Sequence, residues 1–495
     1  NMKKNFLLIV TMLFSASLFA QAPFVVSPTE LDGHEIAVLG ESMSQNRTFV
    51  GGANQTVQTP MIWNTETGEL IEIAETDSVF VDWGEESYWE YMTKTGAFHA
   101  VNNAGIAVGS LTGADYISHP IMARADGHGT YTFLHENSDN AGCEAYGITE
   151  DGSTIVGFYF DANWITHACV WTQEGTVCTD LPMPAEADLG FPIDYVSARY
   201  ISSDGNVILG YAQDANTGTW VAMTWKLQGG QYVPVLISNS YYQTRYYEGD
   251  SLVIPGENPY YEFQPVAISA NGEWASLMVV EAYDVNDFSI FPSAKAARLN
   301  LVTGAFEVLD IEEDFERIEM FGIADDGTCV GRFTGVTDPA TWSQDVDAVL
   351  WKAGTASMQR LSELYPDDAY VTGMVASSFN SITADGAYAM GISITESSEQ
   401  TTFYVSLPGS DVSINQPAQN VSLYPCPATN VFTVTLNSEI RSLSVVNMMG
   451  QVVYAKDGIH SNQVSVDTRS YAAGLYLVNI FTDNGRVTKR LSIVK

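Results

Sequence analysis

Basic residues are scarce in this 495-residue chain: 21 Lys and Arg stand against 59 Asp and Glu, a formal net charge of −38. A phosphate backbone is held by clustered Lys and Arg that displace counterions, so nucleic acid is excluded as a partner. Long apolar runs are scarce too. Apart from Phe6 to Phe19 no stretch approaches the roughly 20 apolar residues of a spanning helix. That run follows Lys3 and Lys4 and precedes Ala20-Gln21, which reads as a secretory signal peptide over 1–20. The five cysteines, Cys143, Cys169, Cys178, Cys329 and Cys426, lack zinc-site spacing. Cys169 and Cys178 flank a hairpin pattern and suit a disulfide if their Cβ atoms come within about 4.5 Å; the others read as buried thiols.

Catalytic signatures are missing as well. The chain has no Gly-x-Ser-x-Gly, His-Glu-x-x-His, phosphate-binding Gly-x-x-x-x-Gly-Lys-Ser/Thr or Cys-x-x-Cys. Its seven histidines are scattered, and His99 and His167 fall in strand patterns where a structurally satisfied imidazole is expected. No cofactor is expected. Calcium is the one candidate ion, at Glu312-Glu313-Asp314 or at residues 284–287, but neither run has the Asp-x-Asn-x-Asp-Gly spacing of a calcium loop, so no metal ligand is assigned. No helical periodicity of useful length occurs after residue 20.

What is present is repetition. The clearest unit runs from Ala145 to Gly157 and is followed by Ala168-Cys169-Val170-Trp171. It recurs at 198–210 with Ala222 to Trp225, at 321–331 with Ala348 to Trp351, and at 379–391 with Phe403 to Val405. Weaker copies lie at 40–51, 99–109 and 266–277. In most units an apolar strand enters Asp-Gly or Asn-Gly, which favours a two-residue hairpin turn. A second strand ends on Gly in six of the seven, Leu277 being the exception, where backbone must approach closely. A strand with Trp or an equivalent follows, then a fourth segment. Four antiparallel strands per unit, repeated seven times, predict an all-β chain with a seven-bladed β-propeller over 21–411. The last unit is one strand short, so Phe24-Val25-Val26 is expected to complete it. The repeat resembles a family of bacterial extracellular repeats with the pattern Ala-x-x-Ile-Asn/Ser, a turn, Val-Val-Gly and Ala-Phe-x-Trp, which implies a propeller but no reaction.

From about residue 412 the composition changes, with four acids against seven bases to the end. Four short motifs follow in order: Leu423-Tyr424-Pro425-Cys426-Pro427, then Gly450-Gln451-Val452-Val453-Tyr454, then Ala473-Gly474-Leu475-Tyr476, and finally Lys489-Arg490-Leu491. The segment resembles the C-terminal sorting domain of type IX secretion cargo in Bacteroidetes, with Cys426 where that family usually has Asn. The resemblance implies a small β-sandwich over 412–495, handling by the type IX machinery, and a product that is secreted or attached to the outer cell surface.

Exposed aromatics carry the functional expectation. Trp83, Trp89 and Tyr91 lie between the first two units, and Tyr241, Tyr242, Tyr246, Tyr247, Tyr260 and Tyr261 fill the longest gap between turns. Loops on a rigid scaffold tend to carry function, and Tyr and Trp give flat apolar faces with polar tips. The expectation is a binding module for a glycan or protein. The alternative is a polysaccharide hydrolase or lyase with paired carboxylates, and a structural surface component is the third reading.

Overall fold

The structure is a computed structural model that describes residues 24–31, 33–82, 87–136, 142–184, 192–216, 218, 220–237, 246–248, 251–253, 260–281, 294–309, 317–338, 343–408, 422–424, 428–447, 452–472, 474–482 and 485–494. The signal-peptide segment, both candidate calcium runs, Trp83, Tyr241, Tyr242, Pro425, Cys426, Pro427 and Gly450 lie outside these residues. The chain is all-β, and it separates into two compact units, 1–410 and 411–495.

In the first unit the repeats become four-stranded antiparallel sheets: sheet A at 38–72, B at 95–133, C at 143–180, D at 193–236 and E at 260–308. Residues 317–360 and 374–406 form two further runs, F and G, joined by one parallel contact between Val346 and Ala376 into a longer sheet. Phe24–Val26 pairs antiparallel with the last strand of G, Phe24 opposite Val405 and Val26 opposite Phe403. Two four-residue helical turns, Leu361–Leu364 and Ala369–Thr372, bridge F to G.

Seven hydrophobic clusters of the body each draw on two consecutive sheets. Ile62 and Ile71 of A pack with Phe98 and Leu111 of B, Val108 of B with Ala145 and Trp171 of C, and so on through D, E, F and G. The last cluster returns to the start, with Met390 of G against Met43, Val50 and Trp63 of A. Hydrogen bonds between turns follow the same order. Asn46 N donates to Asn103 Oδ1 (2.6 Å), Asn103 N to Glu150 Oε1 (2.9 Å), Glu150 N to Ser203 O (3.0 Å) and Ser203 N to Ala270 O (2.8 Å). Asn271 N then donates to Asp325 Oδ1 (2.8 Å), Asp325 N to Ala384 O (2.9 Å), and Ala384 N back to Gln45 Oε1 (2.6 Å).

The Asp-Gly turns are longer than the two-residue hairpin expected. Between Ile148 and Ile155 the chain makes a broader loop in which Gly152 alone has positive φ (71°). Asp151 Oδ1 accepts from Ser153 N and from the Thr149 hydroxyl, so the carboxylate supplies the closure that a type I′ turn would draw from backbone. The cysteine pairing also differs from expectation. Cys178 lies opposite Trp171 and Cys169 opposite Asp180, a two-residue offset, and neither forms a disulfide.

The third-strand tryptophans Trp63, Trp171, Trp225 and Trp351 are fully buried. Trp225 Nε1 donates to Pro182 O (2.7 Å), whereas Trp63 Nε1 is buried without a partner. Trp225→Ala should therefore cost about 3–5 kcal/mol. In thermal melts Trp225→Phe should lose more than Trp63→Phe, because only the former breaks a hydrogen bond and strands a carbonyl.

In the second unit Val431–Asn447 is the long central strand. It pairs with Ser422–Tyr424, with Val452–Asp467 and with Gly474–Thr482, which in turn pairs with Gly485–Ile493. Its register shifts between Thr435 and Ile440. Phe432, Val434, Leu443, Val445, Tyr476, Val478, Leu491 and Ile493 form its core.

Candidate functional site: a belt of bulged residues and an aromatic hairpin

The first strand of every sheet carries a register shift at the same place. The shifts fall between Gly40 and Ser42, Phe98 and Ala100, Ala145 and Gly147, Ala198 and Tyr200, Pro265 and Ala267, Met320 and Gly322, and Phe379 and Ser381. Such a bulge leaves one residue unpaired and re-aims its side chain. The residues so released are Glu41, His99, Tyr146, Arg199, Val266, Phe321 and Asn380, and all of them line one cavity of about 680 Å³.

The second-strand glycines make the bulge possible. A Cβ on Gly52, Gly109, Gly157, Gly210, Gly331 or Gly391 would sit 1.8–2.1 Å from a carbonyl oxygen of the bulged strand. In the first unit the residue in this place is Gly52, not the Gly51 expected from the repeat. Leu277 replaces glycine opposite Pro265, which brings no N–H to the ladder.

Four of the bulged residues touch in sequence around the wall. His99 Nδ1 lies 2.6 Å from Glu41 Oε2. The His99 ring stacks on Tyr146 with centroids 4.6 Å apart and planes at 19°. The Arg199 guanidinium carbon lies 3.7 Å over the same Tyr146 ring, and Arg199 Nη2 donates to Tyr211 Oη at 2.7 Å. The Tyr146 hydroxyl donates to Glu144. Burial pushes the phenols of Tyr146 and Tyr195 far above their usual range, so both stay neutral hydrogen-bonding groups. Burial opposes the charge on Arg199, and the phenol oxygens of Tyr146, Tyr211 and Tyr195 offset it. Across the cavity Val266 and Phe321 are apolar, and Asn380 Nδ2 donates to Gly40 O (2.9 Å). Glu150, at the turn end, has its carboxyl raised by burial, an effect opposed by the hydrogen bond from Asn103 N. His99 is thus satisfied, as expected, but by a cavity partner; the belt as a whole escapes sequence reading, since its members share a position and not a residue type.

The expected aromatic ligand residues separate into two groups. Thr76–Asp82 and Ser87–Thr93 form a two-stranded hairpin in which Phe80 faces Trp89 across the strands and Ser78 faces Tyr91. Phe80, Trp89 and Tyr91 therefore share one face, and they are 54%, 58% and 73% exposed. The Phe80 and Trp89 rings are 5.3 Å apart. The hairpin base is anchored: Tyr131 Oη (2.8 Å) and Lys94 Nζ (3.0 Å) both bind Glu75, and their hydrogen bonds hold that carboxyl below its usual range. Tyr246 and Tyr247 lie in a separate small hairpin with Ser251–Val253, and Tyr260 and Tyr261 begin the first strand of sheet E. These four are strand residues and not loop residues. Among the described residues no group of three or more His, Cys, Asp or Glu could hold a metal ion.

In the tail, Tyr476 is buried, its hydroxyl donating to Ala472 O (2.9 Å), while Tyr424 is exposed. Lys489 and Arg490 pair with Val478 and Leu477 in the last strand pair, which starts at Gly474. Residues 422–494 match the family model described as "Secretion system C-terminal sorting domain". This tail is a type IX secretion signal. The chain is accordingly secreted or held at the cell surface, and no helix among the described residues is long and apolar enough to cross a membrane.

Other likenesses of the chain are weaker. Beta-agarase D of Zobellia galactanivorans is 29% identical over 97 residues, 20% of this chain and 20% of that protein, so the chain spans about a fifth of its curated relative. A puromycin-hydrolyzing peptidase of Mycobacterium tuberculosis aligns over 81% of this chain and 61% of its own at 10% identity, with a TM-score of 0.43. TolB from Acinetobacter baumannii aligns over 78% and 80% at 11% identity (TM-score 0.33). PorZ, a surface component of the type IX secretion system of Porphyromonas gingivalis, aligns over 93% and 75% at 8% identity (TM-score 0.23). Likeness at this level assigns no activity to the body.

Proposed function

We propose that this protein is an exported seven-bladed β-propeller, followed by a small β-sandwich sorting domain, that recognises a glycan through the aromatic face of residues 76–93. The seven-bladed reading is supported by core clusters and turn-to-turn hydrogen bonds that run through seven four-stranded units and return to the first. Recognition rests on one observation: Phe80, Trp89 and Tyr91 project from one face of a hairpin whose base is pinned and whose rings stay in solvent. Such rings stack on the apolar faces of sugars, and leaving them uncovered has no purpose in packing.

A polysaccharide hydrolase or lyase ranks second. It needs two free carboxylates facing one bond, and in the cavity Glu41 is held by His99 and Glu150 by Asn103 N.

The test is a glycan-array screen of the exported chain, with and without calcium, beside the double variant Trp89→Ala, Tyr91→Ala. Binding should fall by about tenfold or more on loss of the two rings, with no shortening of bound polysaccharide. Absence of glycan binding in both buffers would turn the search to protein partners, and shortened polysaccharide would favour the enzyme.

A further inference from the structure

The belt in the cavity contains a guanidinium held by aromatic rings and hydroxyls instead of by a carboxylate. Arg199 is largely buried among aromatic groups, the Tyr146 and Phe158 rings and the hydroxyls of Tyr211 and Tyr195, and none of the ion pairs among the described residues gives it a carboxylate. Its Nε is buried with no hydrogen-bond partner. The nearby carboxylates are engaged elsewhere, Glu144 by the Tyr146 hydroxyl and Glu41 by His99. A second cavity arginine, Arg332, has the same unpartnered Nε but does pair with a carboxylate, Glu319 lying 2.5 Å from its Nη2. A carboxylate is the ordinary partner of a guanidinium, and the wall around Arg199 supplies none. The cavity's volume, about 680 Å³, falls within the roughly 300–1,000 Å³ of small-molecule sites.

We propose that this cavity binds a small carboxylate-bearing molecule, with Arg199 as the residue that takes the carboxylate. The guanidinium is planar and always charged, and it matches a carboxylate edge to edge. Contact with the Tyr146 ring, itself stacked on His99, and the hydrogen bond to Tyr211 hold the guanidinium in place, so little freedom is lost on binding. The apolar stretch at Val266 and Phe321, beside the paired Arg332 and Glu319, offers the rest of the ligand a surface. This site is separate from the aromatic hairpin at 76–93, and neither requires the other.

The experiment is calorimetric titration of the full exported chain with sodium D-glucuronate, sodium acetate and D-glucose, with melting temperature read in parallel. Glucuronate should bind and raise the melting temperature, and glucose should do neither. Competition by acetate would place recognition in the carboxylate alone, whereas binding of glucuronate without acetate competition would assign the ligand to the sugar acids; both support the site. Arg199→Gln should lower glucuronate affinity by about 10- to 100-fold, the contribution of a charge-assisted hydrogen-bonded pair. Should that variant not fold, methyl glucuronate ester on the unaltered protein replaces it, and the ester should bind correspondingly weaker. No response to either carboxylate, equal binding of glucose, or unchanged affinity in Arg199→Gln or for the ester would overturn the proposal.

Discussion

A chain cut after residue 421 should fold normally and remain within the cell envelope, while the intact chain reaches the medium or the cell surface. The matched sorting region spans 422–494, and the cluster around Phe432, Val445, Tyr476 and Ile493, with Leu423 packed against it, draws on residues within 423–493. Among the described residues, the clusters of the body are built within 24–407. Removing the tail therefore deletes an address and one self-contained core, and leaves every core of the body intact. Fractionation with immunoblotting of medium, surface and periplasm should show near-complete loss of export. The melting temperature of the truncated chain should match the body transition of the intact one. Export of the truncated chain at the intact level would refute the tail's role, and a lowered body transition would show that the two units stabilise each other.

Gly52→Ala should destabilise the body by about 3–5 kcal/mol, and Gly51→Ala, one residue earlier, by less than about 1 kcal/mol. A Cβ on Gly52 would lie 1.8 Å from Leu39 O and 2.8 Å from its carbonyl carbon. These are backbone atoms on the neighbouring strand and cannot rotate away. On Gly51 the Cβ would meet Phe98 Cβ and Val101 Cβ at 3.4 Å, close to ordinary contact, and alanine lowers the entropy lost on folding. The clash at Gly52 can be relieved only by opening the bulge that releases Glu41 into the cavity. The same substitution should thus loosen the His99 contact with Glu41, visible as a shift of the His99 imidazole resonances by NMR. Equal melting temperatures for the two variants would rule out the close-approach account of the repeat glycines.

Much of the body was legible because its repeat is written in residue types with a narrow physical meaning. Gly152, Gly205, Gly272, Gly327 and Gly386 mark turns by their positive φ, and Trp63, Trp171, Trp225 and Trp351 mark third strands because an indole that large is driven into the core. The strand count also required the pairing of Phe24–Val26 with the last unit. Turn geometry was misread because Asp-Gly is compatible with both a tight turn and a side-chain-closed loop, and only the Thr149 and Asp151 contacts distinguish them. The Cys169 to Cys178 pairing failed through a two-residue offset in register, which hairpin length alone does not specify.

The sequence by itself determined that the chain is acidic, all-β, repetitive in its body and addressed for export in its tail, since composition, turn dipeptides and motif order are local properties. The tertiary structure alone decided which side chains meet. Glu41, His99, Tyr146 and Arg199 are separated by roughly 50 residues each and share no residue type. They form one belt because each occupies the unpaired position of an equivalent bulge, and a bulge is a property of two strands in register, which neither strand carries on its own.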